Sequence, residues 1–372
     1  MAMNPKPSRF LALDVLRGMT VCFMIIVNTP GTGATPFSPL LHAEWHGFTP
    51  TDLVFPSFLF AVGNAMAFAM GKFAALSPGQ VVAKILKRSL IIFMLGYLMY
   101  WFPFVHHTRD GLDWNPFSET RVFGVLQRIG ICYGIAGLMI HFLSKRTVWI
   151  VSAIFLLGYW LLMYLGGDYT LQGNFQRAID LSLLSEGHLY HGEGIAFDPE
   201  GFLSTFPAVV NVIIGYYAGV FIREKGNNYE TIAKLALAGA AMITLAYFWD
   251  LVFPINKKLW TSPFVFYTCG MALLILGGLI YIIEILGKKK WTYFFEVFGK
   301  NPLFIYLLSE IIAILFWFFM AGGRTVYETI NDAFFQKLMP GPFGSLAFAL
   351  SVMFFCWLVG WMMDRRKIYV RV

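Results

Sequence analysis

Apolar runs of roughly 20 residues recur along the whole chain, and each is long enough to cross a hydrocarbon core of about 30 Å as a helix. Ten spans are expected, over residues 10–29, 52–71, 88–105, 122–143, 147–166, 201–222, 235–253, 263–287, 301–321 and 343–363. The alternation of a transmembrane β-barrel is absent. Only 13% of residues are charged and 58% are hydrophobic, whereas a soluble domain carries about a quarter charged residues. The expected fold is all-α: one polytopic transmembrane domain over residues 1–372, with the lipid bilayer as its surroundings. The net charge of +7 is no sign of nucleic-acid binding, because the basic residues sit in short loops. Cys22, Cys132, Cys269 and Cys356 all lie within apolar runs and form neither a disulfide framework nor a metal spacing. The first run is full length and carries Asp14 and Arg17, so it reads as a retained span rather than a cleaved signal.

Basic residues set the orientation. With the N-terminus inside, 20 of the 28 Lys and Arg residues fall on the cytoplasmic side. The exceptions are Arg109, Arg121, Arg128, Arg177, Lys257, Lys258, Arg324 and Lys337. Both termini are then cytoplasmic. The longer, more polar loops, at 106–121, 167–200 and 322–342, lie on the far side, where an acceptor or ligand would be met. His188, His191 and Glu193 lack a second cluster of convincing spacing, so no metal is expected. Asp198-Pro199 is expected to cap the sixth span. Trp291 to Phe295 reads as a short interfacial helix before the ninth.

One far-side connection stands out. Residues 42–56, from His42 to Pro56, place two histidines, two carboxylates and Trp45 between two apolar runs. Thr49-Pro50-Thr51-Asp52 reads as a helix start, with Thr49 as cap, Pro50 in the first helical position and the Asp52 carboxylate reaching back to free N–H groups. The first helix should break at Thr29-Pro30-Gly31, leaving Asn28 at its outer mouth, close in depth to His42 and Asp52.

Ionisable or strongly polar groups inside spans are costly unless paired or hydrated, so they are functional candidates. Asp14 and Arg17 share a helix face, either as an ion pair locking the inner end or as an anion contact on the cytoplasmic side. Gln127 and Arg128 fall about two turns into the fourth span, and Asp52 or Asp250 could pair with Arg128. Glu310 sits near mid-membrane in the ninth span, preceded by Tyr306 and Ser309. With Asn64 and Asn211, these suggest a polar interior or tunnel, given room by Pro56, Gly63 and Pro207.

Several segments resemble the heparan-α-glucosaminide N-acetyltransferase family of transmembrane acyltransferases. They are Arg9 to Gly18, Val27-Asn28, His42-Ala43-Glu44-Trp45-His46-Gly47, Asp52 to Pro56, Gly124 to Gly130, Asp198-Pro199-Glu200-Gly201 and Gly299-Lys300-Asn301-Pro302. They occur in the family's order over most of the chain. The resemblance implies transfer of an acetyl group from cytosolic acetyl-CoA to an amino sugar across the membrane, and a homodimer. The family's motif histidine falls on His42 and its catalytic asparagine on Asn28. Lysosomal members carry an extra N-terminal lumenal part with one more span. A chain without it is expected to be a multi-pass protein of the bacterial inner membrane, acting on a small amino sugar or a cell-wall glycan. Some bacterial relatives are described as N-acetylglucosamine transporters, and transport is the alternative reading.

Within that implied reaction, His42 suits a general base, since imidazole titrates near neutral pH; a covalent acetyl-His intermediate is the other route. Asn28 can donate to the developing oxyanion. Asp52 either orients His42 or only caps its helix. His46 is the rival base. Arg128 is expected to hold the pantetheine arm or a carboxylate, and Gln127, Trp45, Asp14, Arg17, Glu310 and Asn301 complete the expected substrate and CoA contacts. Lys72, Lys84, Lys87, Arg88 and Lys300 offer positive charge to the nucleotide phosphates.

Overall fold

The computed structural model describes residues 10–370. Lys6, Arg9 and Arg371, counted in the charge bias, lie outside the described residues, as does the side chain of Lys72. Every expected span coincides with a helix. These are α1 (Leu11–Asn28), α2 (Val54–Ala69, entered through a 3-10 turn at Pro50–Leu53), α3 (Pro78–Trp101), α4 (Val125–Phe142) and α5 (Lys145–Gly166). A short helix α6 (Phe175–Leu183) precedes α7 (Thr205–Lys225), α8 (Tyr229–Asp250) and α9 (Ser262–Leu279), the last continuing as a π-helical turn to Ile285. The chain closes with α10 (Thr292–Lys300), α11 (Pro302–Phe318), the short α12 (Val326–Ile330) and α13 (Gln336–Leu338), and α14 (Pro342–Arg365). Two small hairpins, Val105–Thr108 with Gly111–Trp114 and Met320–Ala321 with Arg324–Thr325, are the β-structure among the described residues.

Eight of these helices are long and apolar enough to cross a membrane, and nine if the bent pair α10 and α11 counts as one span. The chain is an all-α polytopic membrane protein. Helix α3 falls short because Lys84, Lys87 and Arg88 all lie in its first half. Local chemistry sets the helix starts. Ser77 and Gln80 form a capping box at α3, and the Ser144, Asn174 and Asn228 side chains accept the Thr147, Arg177 and Thr231 N–H groups at α5, α6 and α8.

Close helix contacts depend on missing Cβ atoms. A Cβ on Gly63 of α2 would meet the Val212 carbonyl of α7 at 2.0 Å, and one on Gly215 would meet the Phe60 carbonyl at the same distance. Small residues of this kind let helices approach in lipid, where no hydrophobic force drives them together. Likewise α10 lies against α1, with Gly18 facing the Phe295 carbonyl. The break between α10 and α11 turns the chain by 84°. Asn301 sits at that break, donating to the Ile368 carbonyl at 3.0 Å and accepting from Val370 N–H at 2.8 Å. It therefore fastens the C-terminal segment rather than facing a cavity.

Several expected boundaries are corrected. The third helix runs Pro78–Trp101 rather than 88–105. The sixth span begins at Thr205 rather than 201, and Asp198-Pro199 does not cap it; Ser204 occupies the N-cap position. The Asp198 carboxylate is instead taken by Arg121, as described below. The fourth span begins at Val125 after extended residues, so Arg128 lies in its first turn rather than two turns in.

Candidate active site

Helix α1 ends at Asn28, and Thr29 to Gly31 leave it as expected, tied by Gly31 N–H to the Ser345 carbonyl and by the Tyr327 hydroxyl to the Pro30 carbonyl. The loop that follows returns to the start of α2 through Asp52. Its Oδ2 accepts Ala43 N–H at 3.1 Å, Thr49 N–H at 3.0 Å and the Thr49 hydroxyl at 3.1 Å. Its Oδ1 accepts from His42 Nδ1 at 2.6 Å. Asp52 is buried, at 1% exposure, whereas the His42 side chain is 42% exposed. One carboxylate thus both starts the helix and fixes the imidazole. With Nδ1–H donated to Asp52, His42 turns Nε2 toward a space that Lys257 Nζ, 3.1 Å from that nitrogen, also enters.

That space is a cavity of about 320 Å³ lined by His42, Asn28, Asp52, Glu310, Arg121 and Lys257, among others. The Asn28 amide donates to Glu310 Oε1 at 3.1 Å. Lys257, in the loop between α8 and α9, sets its ammonium 2.9 Å from His42 Nδ1 and 3.7 Å from Asp52 Oδ1. Burial lowers the Lys257 ammonium from its ordinary value, against the pull of Asp52 and Glu200. Lys258 beside it pairs with Glu193 at 2.6 Å. On the opposite wall Arg121 makes a two-pronged contact with Asp198, at 2.9 and 2.7 Å, and reaches Glu200 at 2.6 Å. Its guanidinium lies between the Tyr100 and Tyr190 rings, 4.9 and 4.6 Å from their centroids. The segment carrying Glu200 is held from behind by α6, where the buried Asp180 accepts Phe202 N–H at 2.9 Å.

The cavity unites His42, Asn28, Asp52 and Glu310 of the expected residues, and not the others. Arg128 is buried away from it. Its Nη2 donates to the Gly201 carbonyl at 3.1 Å and to Ser204 Oγ, and its guanidinium lies over the Trp260 ring. Pairing with Asp52 or Asp250 does not occur: Asp52 is occupied by its own loop and His42, and Asp250 accepts Ile255 N–H at 2.6 Å. Gln127 is wholly buried, with no hydrogen bond to its side chain among the described residues. Trp45 donates to the Tyr169 carbonyl at 2.7 Å and packs on Phe197. His46 faces Asn256 rather than the cavity, at 3.3 Å. Asn211 receives the Trp260 indole N–H and binds Thr268, and Asn64 is buried elsewhere.

Asp14 and Arg17 form an ion pair of 3.0 Å, and Arg17 also donates to the Gly299 carbonyl. They lie at the other end of α1, roughly 20 Å from Asn28 by helix rise. Lys300 at that end is paired with Asp364 at 2.8 Å. His188 bonds the Thr120 carbonyl and Glu193 is paired with Lys258; no group of metal-ligating residues is found among the described residues.

Sequence reasoning missed Arg121, Lys257 and Lys258. Their one signal was being exceptions to the distribution of basic residues. A His–Asp pair, an amide donor and converging charges in a cavity of this size can take a proton, stabilise an oxyanion and orient a polar ligand; small-molecule sites run from roughly 300 to 1,000 Å³.

Fold and cavity together define a multi-pass helical membrane protein with an organised polar site at one end of its bundle. Comparison with known proteins then gives its kin. Residues 9–246 match the family described as heparan-alpha-glucosaminide N-acetyltransferase, catalytic, and the chain belongs to that family. It is 26% identical to the human heparan-alpha-glucosaminide N-acetyltransferase, over 83% of this chain and 54% of the relative. The mouse protein of the same name is 26% identical over 82% of this chain and 54% of the relative. The chain thus spans about half the length of the curated relatives it matches. The family match includes Asn28, His42 and Asp52 and stops before Lys257 and Glu310.

Proposed function

We propose that this chain transfers the acetyl group of acetyl-CoA to the amine of an amino sugar, with His42 as general base. The observation that carries the reading is the 2.6 Å contact between His42 Nδ1 and Asp52 Oδ1 in a cavity also lined by Asn28. Imidazole Nε2 accepts the proton of the attacking amine as its nitrogen bonds to the acetyl carbon, and general-base action of this kind is worth roughly 10²–10⁴ in rate. Asn28, held through one amide N–H by Glu310, offers its other N–H to the oxyanion, worth on the order of 10²–10³. The carbon–sulfur bond then breaks, and the imidazolium returns its proton toward the leaving thiolate. Asp52 holds the ring in one tautomer throughout.

The distribution of basic residues supports a site facing away from the cytoplasm, with both termini inside. Donor and acceptor would then arrive from opposite sides. Purified protein given acetyl-CoA and glucosamine should release free CoA and acetylated sugar in equal amounts. Movement of unmodified sugar without CoA release would replace the reading with transport.

A further inference from the structure

Lys257 contacts the imidazole in an unusual place. Its Nζ is 2.9 Å from His42 Nδ1 and 3.1 Å from Nε2. The ring nitrogens flank Cε1, so an atom nearly equidistant from both cannot share the ring plane; it would be driven into Cε1, well inside van der Waals contact. The ammonium therefore lies over the ring face. The in-plane position at Nδ1 belongs to Asp52 Oδ1, and the in-plane lone pair of Nε2 remains available to substrate.

Opposite charges thus act on one imidazole. Asp52 favours the imidazolium and Lys257 disfavours it. Of the other charged groups facing the cavity, Glu193 is paired with Lys258 and Glu200 with Arg121, and Glu310 accepts from the neutral Asn28 amide. Asp52 and Lys257 are the charged groups in direct contact with the His42 ring.

The loop that presents Lys257 is rigid. The Asn256 side chain accepts Leu259 N–H at 2.8 Å, Asn256 N–H donates to the Thr261 hydroxyl at 3.1 Å, and Trp260 N–H bonds the Lys257 carbonyl at 3.0 Å. Trp260 itself holds φ at +50°, a conformation a bulky residue adopts only when its surroundings enforce it, and it is buried at 1% exposure. The Lys257 side chain is 18% exposed, so most of it is packed against the cavity wall.

We propose that Lys257 is a positioning residue for the base: its ammonium, fixed over the face of His42, opposes a second proton on the ring and leaves Nε2 as the accepting nitrogen. The inference rests on His42 being the base.

The test follows the titration of His42 itself. Diethylpyrocarbonate acylates neutral imidazole, and mass spectrometry of the purified full chain reads His42 modification from about pH 5 to about pH 9. Lys257→Met should move the His42 midpoint upward by about one pH unit or more, Lys257→Arg should leave it near wild type, and Asp52→Asn should move it downward. The acid limb of kcat/KM should shift with the midpoint. Lys257→Gln replaces the Met variant if that chain does not elute as a folded species. An unmoved midpoint in a folded Lys257→Met or Lys257→Gln chain overturns the inference, as does a loss of kcat with an unmoved acid limb. A shifted midpoint together with undiminished acetyl transfer by His42→Ala would instead remove the proposed function and leave the electrostatic contact standing.

Discussion

Asn28 and Glu310 are 282 residues apart in sequence and meet through a 3.1 Å hydrogen bond that joins the end of α1 to the middle of α11. The contact leaves one amide N–H of Asn28 for a ligand and fixes the plane in which it points. An oxyanion donor strengthens its bond only as charge develops, so it acts on turnover more than on donor affinity.

Asn28→Ala should therefore lower kcat by about 10²–10³ while acetyl-CoA binding changes little. Glu310→Leu, which frees the Asn28 amide to rotate, should lower kcat by a smaller factor, about tenfold. Steady-state kinetics with calorimetric acetyl-CoA binding checks both. Equal losses in binding and turnover would make Asn28 a ground-state contact.

Arg128 is a structural residue in this arrangement, because it bonds Gly201 and Ser204 behind the cavity wall. Arg128→Ala should lower folded yield and thermal stability, costing about 1–3 kcal/mol for the lost charged hydrogen bonds. Arg128→Lys should recover only part, since an ammonium cannot copy the fork of a guanidinium. Unchanged thermal stability with weakened acetyl-CoA binding would place Arg128 on the ligand instead.

Asp180 supplies a pH dependence. Its carboxyl is buried, one oxygen has no hydrogen-bond partner, and burial pushes it up from 3.8 to about 7, partly countered by Phe202 N–H. A carboxyl raised in the folded state contributes stability that is complete below its unfolded value near 4 and lost as pH rises through about 7. Asp180→Asn should melt several degrees above wild type at alkaline pH, with the difference closing as pH falls below neutral. Thermal scans across that range check it, and a constant offset at every pH would contradict it.

The proposed sidedness can be read directly. In a background with Cys22, Cys132, Cys269 and Cys356 replaced by Ala or Ser, cysteines at Ser38 and Gly79 should differ in intact cells. A thiol probe that cannot cross the membrane should label the first and not the second. The reverse pattern would invert the orientation.

Much of the scaffold is readable in the chain. Apolar run length located the spans, and Thr49, Pro50 and Asp52 gave the start of the second through capping chemistry. Pro30 and Gly31 marked the stop that leaves Asn28 at a helix end. What could not be read was pairing across long separations. Lys257 reaches His42 from 215 residues away, and no local pattern encodes that contact. Arg128 was expected beside a carboxylate because a buried charge commonly has one, yet a hydroxyl and a carbonyl take its place. The Asp198-Pro199 pair has the chemistry of a cap, but the Arg121 guanidinium is the stronger partner for a buried carboxylate.

His42→Ala, measured by CoA release from acetyl-CoA with glucosamine as acceptor and by acetyl-CoA binding on the same preparation, tests the central claim most directly. The base acts on the acceptor amine in the transition state, so acetyl transfer should be lost while acetyl-CoA binding stays near wild type. His46→Ala, whose ring faces Asn256 instead of the cavity, should cost far less. Near-normal acetylation of glucosamine by His42→Ala would contradict the account and reduce His42 to a loop residue held by Asp52.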